Sequence, residues 1–104
     1  MDIADWRKKI DEIDRKLVEL LNQRAQAAHE IGRLKRNTNM AVYEPEREKQ
    51  IFDHVGCYNQ GPLPQQELQR IFERIIDVMR KLQTDEIRPR TKAAGTEFDV
   101  DVND

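Results

Sequence analysis

Apolar residues recur every three or four positions through the first third of the chain, which is the period of an α-helix with one buried face. The series is Ile3, Trp6, Ile10, Ile13, Leu17, Leu20, Leu21, Ala28, Ile31 and Leu34. No proline interrupts this stretch, and the first run of helix-breaking residues is at positions 37–39. The pattern predicts a first helix from about Asp5 to Lys35 or Arg36. At 1.5 Å per residue this helix is roughly 45 Å long.

Two shorter helices are predicted downstream, and no strand pattern competes with them. Proline is typical of a first helical position, so the second helix covers about Pro45 to Cys57. A loop rich in Gly and Pro follows it, and the third helix runs from about Pro64 to Gln83. Its apolar face comprises Leu68, Ile71, Phe72, Ile75, Ile76, Met79 and Leu82. The fold class predicted is therefore all-α, with three helices of which one is very long.

The length of the first helix indicates an oligomer. A domain of 100 residues has an expected radius of gyration of about 13 Å, so a 45 Å helix needs another long helix to cover its apolar face. We therefore predict that residues 1–83 form a helical domain that pairs with a second copy as an intertwined homodimer. Residues 84–104 contain twice as many acidic as basic residues and no helical period. We predict that they form a disordered acidic tail.

Two cations lie in the middle of the stripe that the first helix should bury. At about 100° per residue, Arg24 and Lys35 both fall at the centre of the apolar face, and Arg7 falls about 100° away at its edge. A buried charge needs compensation. The two side chains can extend to the edge of the bundle or pair with acids of another helix. They can also bind a small dianion between them, and the pattern leaves these alternatives open.

A second polar cluster surrounds the predicted start of helix two. Arg47 and Glu48 follow Glu44 by three and four residues, so all three share one helical face. Acids at a helix N-terminus also interact favourably with the helix dipole, which explains Glu44 and Glu48 without a ligand. Gln83 lies on the apolar side of helix three and is equally consistent with an ordinary polar residue near a helix end. These residues become site candidates only in combination with the two cations.

The composition of the chain limits the partners, the cellular location and the metal sites that we expect. The chain has 104 residues, 18 Lys and Arg against 20 Asp and Glu, and a net charge of −2, which disfavours nucleic-acid binding through bulk charge. No apolar stretch is long enough to span a membrane, and no secretory signal is visible. The single cysteine, Cys57, favours a reducing compartment, so we expect a cytoplasmic protein. It has one nearby metal ligand, His54, and no second pair, so we expect no metal site.

These residues occur in a spacing that resembles a known family. The pattern W-R-x-x-I-D-x-I-D-x-x-L-V-x-L-L-x-x-R-x-x-x-A-x-x-I-G-x-x-K, followed by Y-E-P-x-R-E, covers positions 6 to 48. It is similar to the all-helical class of chorismate mutases, and the third helix fits the same class as far as Gln83. No single residue in the pattern is specific for that family, but the joint spacing of its charged positions is.

The resemblance implies an intertwined dimer of three-helix chains with two shared active sites, each of which takes one arginine from the other chain. By position, Arg7 corresponds to that arginine, and Arg24 corresponds to the carboxylate clamp within the chain. Met79 departs from the family pattern, because some members carry a small polar residue there near a substrate carboxylate. This departure puts one minor contact in doubt.

The remaining site residues follow from the same resemblance. Lys35 and Gln83 correspond to the pair that hydrogen-bonds the ether oxygen of the substrate. Glu48 corresponds to the acid that holds its hydroxyl group, and Glu44 and Arg47 correspond to auxiliary positions. The implied reaction is the Claisen rearrangement of chorismate to prephenate, in phenylalanine and tyrosine biosynthesis. Because it is unimolecular, the resemblance implies no cofactor, metal or nucleophile, only conformational restriction and stabilisation of the developing oxyanion.

Two other functions compete with this interpretation. An isochorismate pyruvate-lyase of the same fold would bind a similar dianion, but an apolar residue replaces the acid at the position of Glu48 in that group. A non-catalytic helical dimerisation or regulatory module would explain the amphipathic first helix but not the cations Arg24 and Lys35 at its centre. The resemblance also allows a separate synthase of the shikimate pathway as a partner.

Overall fold

The computed structural model describes residues 1–87, which contain three α-helices and no strand. The helices are α1 (Ile3–Arg36), α2 (Pro45–Tyr58) and α3 (Gln65–Ile87). All three predicted helices and the all-α class are confirmed, and the helix ends differ from the predicted ones by a few residues. The 34 residues of α1 make it about 51 Å long.

Both ends of α1 are stabilised by local interactions. The Asp2 carboxylate accepts a hydrogen bond from the backbone N–H of Asp5 at 3.0 Å, and the Asp5 carboxylate accepts one from the backbone N–H of Asp2 at 3.1 Å. This reciprocal capping box satisfies two backbone donors that the helix leaves unpaired. Three basic residues in the last turn interact favourably with the C-terminal end of the helix dipole. The capping box at Asp2 explains why α1 begins two residues before the predicted start.

The connection between α2 and α3 is fixed by side-chain amides. The Asn59 Nδ2 group donates to the Leu63 carbonyl at 2.9 Å, and the Gln65 Nε2 group donates to the Gly56 carbonyl at 3.1 Å. The loop also contains Gly61 with a φ of 73°, a backbone conformation that favours glycine. As a result the first turn of α3 is held against the last turns of α2.

The third helix is one turn longer than predicted. It continues from Gln83 to Ile87, because no glycine or proline occurs in this stretch and the next proline is Pro89. The Thr84 hydroxyl donates to the Arg80 carbonyl at 3.1 Å, within the helix. Gln83 therefore lies inside a regular helix. Positions 88–104 of the predicted acidic tail lie outside the described residues.

The packing within one chain involves only part of α1. α3 packs against both α1 and α2, and the buried apolar residues are Ala28, Ile76 and Met79. In contrast, every residue from 1 to 23 is exposed, including Trp6 at 55% and Leu17 at 49%. Within residues 1–87, the apolar face of the N-terminal half of α1 is thus left exposed.

Residues 1–87 contain neither of two features that would indicate a different class of protein. No helix in this range is both long enough and apolar enough to cross a membrane. The same residues contain no cluster of three or more His, Cys, Asp or Glu side chains arranged to hold a metal ion. Cys57 is an exposed free thiol.

Candidate active site

A cavity of about 360 Å³ lies between the C-terminal half of α1, the start of α2 and the end of α3. Six of the seven predicted site residues line this cavity, although they come from α1, from the start of α2 and from α3. The six are Arg24, Lys35, Glu44, Arg47, Glu48 and Gln83. Apolar side chains, including Ile76 and Met79, complete the wall. The cavity thus combines charged groups with water-excluding surface.

Lys35 is the most buried charged residue among positions 1–87, with 4% of its surface exposed. Its Nζ group donates to the Gln83 Oε1 atom at 3.0 Å, lies 3.5 Å from the Glu44 carboxylate, and lies 3.5 Å from the Val42 carbonyl oxygen. These contacts compensate the buried charge, so Lys35 does not extend to solvent at the edge of the bundle. Because the Gln83 carbonyl oxygen accepts from Lys35, the Gln83 Nε2 group is the part of the amide that remains available to donate.

Arg24 is placed differently from Lys35, although both lie on the same face of α1. It is partly buried, and no acid within residues 1–87 pairs with it. Burial, and then repulsion from Arg47, lower the pKa of the Arg24 guanidinium from its ordinary value. Arg47 is exposed and donates to the Gln50 side-chain oxygen at 3.3 Å. In the described part of the chain, Arg24 and Arg47 thus face the cavity without forming an ion pair with a carboxylate.

Glu48 is held by a residue that the sequence analysis did not identify. Arg80 of α3 lines the cavity and binds the Glu48 carboxylate with three short contacts. Its Nη2 group lies 2.7 Å from Oε2 and 2.8 Å from Oε1, and its Nε group lies 3.0 Å from Oε2. A signal for Arg80 existed, since it follows Ile76 by four residues and precedes Gln83 by three, so it shares the helical face of both.

Arg7 is the one predicted site residue that the chain does not bring to its own cavity. It is exposed on α1 and lies 17 residues before Arg24, which is about 25 Å along the helix axis. An arginine side chain cannot bridge that distance. Within a single chain the cavity therefore lacks Arg7.

The charges of the lining indicate the class of ligand. Four cations and two carboxylates face the cavity, which leaves two net positive charges for a bound molecule. They are Arg24, Lys35, Arg47 and Arg80 against Glu44 and Glu48. Within residues 1–87 the lining includes no Ser, Cys or His, so the cavity offers hydrogen bonds and fixed charge rather than those nucleophiles. Such a site suits a small dianion.

The three-helix fold and this cationic cavity define the class of the protein, an all-helical domain with a cavity that suits a small anion. A model of the family "Chorismate mutase type II" matches residues 6–84. The chain belongs to that family.

Curated relatives support the same assignment. The bifunctional chorismate mutase/prephenate dehydratase of Aquifex aeolicus is 36% identical over 86 residues, which cover 79% of this chain and 24% of the relative. The protein of the same name from Neisseria gonorrhoeae is 44% identical over 70 residues, covering 67% and 19%. The chain thus spans about a quarter or less of the length of these bifunctional relatives. The chorismate mutase of Methanocaldococcus jannaschii is 40% identical over 53 residues, covering 51% and 54%.

Solved structures agree with the fold. The chorismate mutase of Thermus thermophilus in form II superposes with a TM-score of 0.77 at 29% identity, covering 79% of this chain and 93% of that chain. Form I of the same enzyme gives a TM-score of 0.71 at 30% identity, covering 74% and 96%. The three helices of this chain therefore account for nearly the whole of those proteins.

Proposed function

We propose that the protein is a chorismate mutase, which converts chorismate to prephenate by a Claisen rearrangement. The observation that carries this proposal is the buried pair of Lys35 and Gln83 in a cavity with two uncompensated arginines. The substrate is a dianion whose ether bond breaks as a new carbon–carbon bond forms. Its two carboxylates and its developing oxyanion require the kind of charge that this cavity presents.

The first task of the protein is to restrain a flexible substrate. In our proposal Arg24 binds one carboxylate, with Arg47 close enough to add to the field, and Glu48 accepts a hydrogen bond from the substrate hydroxyl. Arginine suits the first contact because its planar fork matches a carboxylate. Restraint at separate points favours the compact conformer in which the bond-forming carbons approach each other. Such positioning raises the rate because the entropy cost of reaching the reactive conformer is met on binding, and it requires no acid, base or nucleophile on the protein.

The second task is to stabilise charge on the ether oxygen. Lys35 has three N–H donors, and one of them is held by Gln83 at 3.0 Å. Its contacts with the Glu44 carboxylate and the Val42 carbonyl are both long, at 3.5 Å, so in our proposal a substrate oxygen replaces one of these two weak contacts. The Gln83 Nε2 group provides a second donor, since its carbonyl oxygen is already engaged. Both donors are fixed before the substrate binds, so little reorganisation is needed as the charge develops. We assign the electrostatic part of catalysis to this pair.

We propose further that the active protein is a homodimer with shared sites. The exposed apolar half of α1, residues 1–23, needs a partner surface, and the same half of a second copy is complementary to it. Arg7 lies on this half, about 25 Å from the cavity of its own chain. A dimer that crosses two α1 helices would bring Arg7 to the other cavity, where it would bind the second carboxylate.

Two observations favour this function over its competitors. Glu48, where the isochorismate pyruvate-lyase group carries an apolar residue, lines the cavity and keeps an ionised partner in Arg80. A dimerisation module does not need a cavity with charged residues from three helices. A cytoplasmic location and a separate shikimate-pathway synthase as partner stay part of the proposal, and the exposed thiol of Cys57 is compatible with a reducing compartment.

The test is an absorbance assay that follows the loss of chorismate, with prephenate identified as the product. Lys35→Ala should reduce kcat/KM by at least 10²–10³, the typical cost of an oxyanion donor. The matched control is Lys49→Ala, since Lys49 is an exposed α2 lysine that pairs with Asp53. This control should retain wild-type activity. No turnover of chorismate by the wild-type protein would refute the proposal, and release of pyruvate from isochorismate would favour the lyase.

A further inference from the structure

Arg80 and Glu48 form an ion pair between α3 and α2 at the wall of the cavity. Three nitrogen–oxygen distances of 2.7, 2.8 and 3.0 Å make it the shortest set of charged contacts among residues 1–87. The side chains are 31% and 18% exposed, so the pair is partly shielded from water. A bidentate pair in this setting fixes the orientation of the carboxylate as well as its position.

The guanidinium of Arg80 is held on its other sides too. Its Nη1 group donates to the Asp77 carboxylate at 3.3 Å, one turn earlier in α3. Its carbon Cζ lies 5.1 Å from the centre of the Tyr43 ring, a cation–π distance. The hydrogen bond with Glu48 outweighs burial and raises the pKa of Arg80 above its ordinary value. All three nitrogens thus contact protein acids, and one face of the group contacts an aromatic ring.

We propose that Arg80 is a positioning residue, which acts on the substrate through Glu48 and not by direct contact. This inference rests on the proposed chorismate mutase function and assigns a role to a residue outside the seven identified from the sequence. Arg80 fixes the Glu48 carboxylate so that a free lone pair faces the substrate hydroxyl. A carboxylate has about four lone-pair sites, so binding by Arg80 leaves room for that hydrogen bond.

The ion pair also reduces the electrostatic repulsion between Glu48 and a dianionic substrate. A carboxylate in the wall of a site for a dianion repels its ligand, since like charges in a poorly hydrated cavity interact strongly. Arg80 neutralises Glu48 locally, so the hydroxyl acceptor is kept without the repulsion that its charge would bring. Without Arg80 we therefore expect weaker binding of the substrate as well as a less well oriented Glu48.

A double-mutant cycle in kcat/KM tests the proposal. Arg80→Gln should lower kcat/KM about ten- to a hundredfold, by analogy with residues that orient the ligands of a metal site, whose loss has effects of this size. In a Glu48→Gln background no carboxylate is left to position, so the same change should cost less than about threefold. Arg80→Lys keeps the charge but loses the planar fork, and its activity should lie between those of wild type and Arg80→Gln.

The kinetic parameters separate positioning from a loss of folded protein. A smaller folded fraction lowers kcat alone, whereas loss of charge compensation should raise KM. The matched control is Arg70→Gln, which breaks an exposed pair with Glu67 on the same helix and should stay within about twofold of wild type. Urea unfolding of the four cycle proteins should show coupling between positions 48 and 80 that does not depend on substrate.

The outcomes distinguish this inference from the proposed function. An inactive wild-type protein would refute the function itself. An active wild type with additive effects of Arg80→Gln and Glu48→Gln would leave the function intact but overturn the positioning role, because Arg80 would then act independently of Glu48. Unchanged KM and kcat in Arg80→Gln would overturn it as well.

Discussion

Substituting Gln83 with glutamate changes one atom of the donor pair and tests the centre of the proposed mechanism. The Gln83 Oε1 atom accepts from the Lys35 ammonium at 3.0 Å, so the Nε2 group is the part proposed to donate to the ether oxygen. In Gln83→Glu the second oxygen replaces that nitrogen. The introduced group can donate only while it is protonated, whereas the amide donates at every pH.

The direction of the pH effect follows from Lys35. An unperturbed glutamic acid has a pKa of about 4.3, and an ammonium at 3.0 Å stabilises the ionised form, so the pKa of the introduced carboxyl should fall below that value. Above the pKa the protonated fraction falls about tenfold per pH unit. The activity of Gln83→Glu should therefore rise steadily as the pH is lowered from 7 toward 4. The wild-type protein should show no acid optimum caused by this position.

The size of the loss at neutral pH has a lower bound. Removal of one oxyanion donor costs roughly 2.7–4 kcal/mol, or 10²–10³ in rate. The ionised carboxylate repels the developing oxyanion, and it also competes with that oxyanion for the N–H donors of Lys35. We therefore expect Gln83→Glu at pH 7 to be at least 10² slower than wild type.

The assay is a rate profile from about pH 4 to pH 9 for wild type, Gln83→Glu and the control Gln66→Glu. Gln66 is exposed in the first turn of α3, so the control makes the same change of charge on the same helix away from the cavity. Circular dichroism at each pH confirms that the proteins compared are folded. If Gln83→Glu keeps the wild-type profile, Gln83 does not contact the ether oxygen, and the role assigned to this part of α3 is wrong.

Three further predictions concern assembly and stability. Sedimentation at micromolar concentration should give about twice 12.3 kDa, and a folded, active monomer would contradict the shared site. Arg7→Ala and Arg24→Ala should each be nearly inactive. Re-annealing a mixture of the two should restore about a quarter of wild-type activity, because half of the dimers are then heterodimers and each of these has one intact site. Heterodimers without activity would place Arg7 outside the site. Met79→Ala, at a position 6% exposed, should cost about 2–5 kcal/mol in urea unfolding at fixed protein concentration, and a cost below 1 kcal/mol would show that it is not part of the core.

The helices could be predicted from the sequence because local signals agree along each of them. The apolar period of α1 is uninterrupted, Pro45 opens α2, and the Gly- and Pro-rich loop separates α2 from α3. The end of α3 was placed one turn early at Gln83. The predicted limit came just after Leu82, the last residue of the predicted apolar face, but a helix continues until something stops it, and no glycine or proline occurs before Pro89.

The site was predictable to the extent that its residues violate the pattern of their own helix. Arg24 and Lys35 stand out because each places a charge where burial is expected, and six predicted residues do line one cavity. The partner of each charge was harder to predict, because it depends on how helices cross. Arg80 lies at the edge of the α3 stripe, so its pairing with Glu48, 32 residues earlier, becomes evident only when α2 packs against α3.

On the proposed function, the pairing of charges among residues 1–87 separates the arginines that would hold the substrate from the charged residues that would position others. Glu48 compensates Arg80, and Glu44 lies next to Lys35, so both acids are already engaged by cations. Among the described residues, Arg24 and Arg47 have no such carboxylate, and repulsion between them contributes to the lowered pKa of Arg24. A dianion would relieve that repulsion by supplying the missing negative charges.

A further arginine without a carboxylate partner would be costly in the same cavity in the absence of a ligand, because it would add to the repulsion between Arg24 and Arg47. In the proposed dimer, Arg7 would come from the partner chain, which would avoid this repulsion during folding of a single chain. Burial of the exposed apolar half of α1 would provide the free energy of association that brings this last cation to the site. In this proposal the exposed face of residues 1–23 and the excess positive charge of the cavity are explained together, because the site is divided between two chains. A chain that builds its site from like charges benefits from dividing them between two copies.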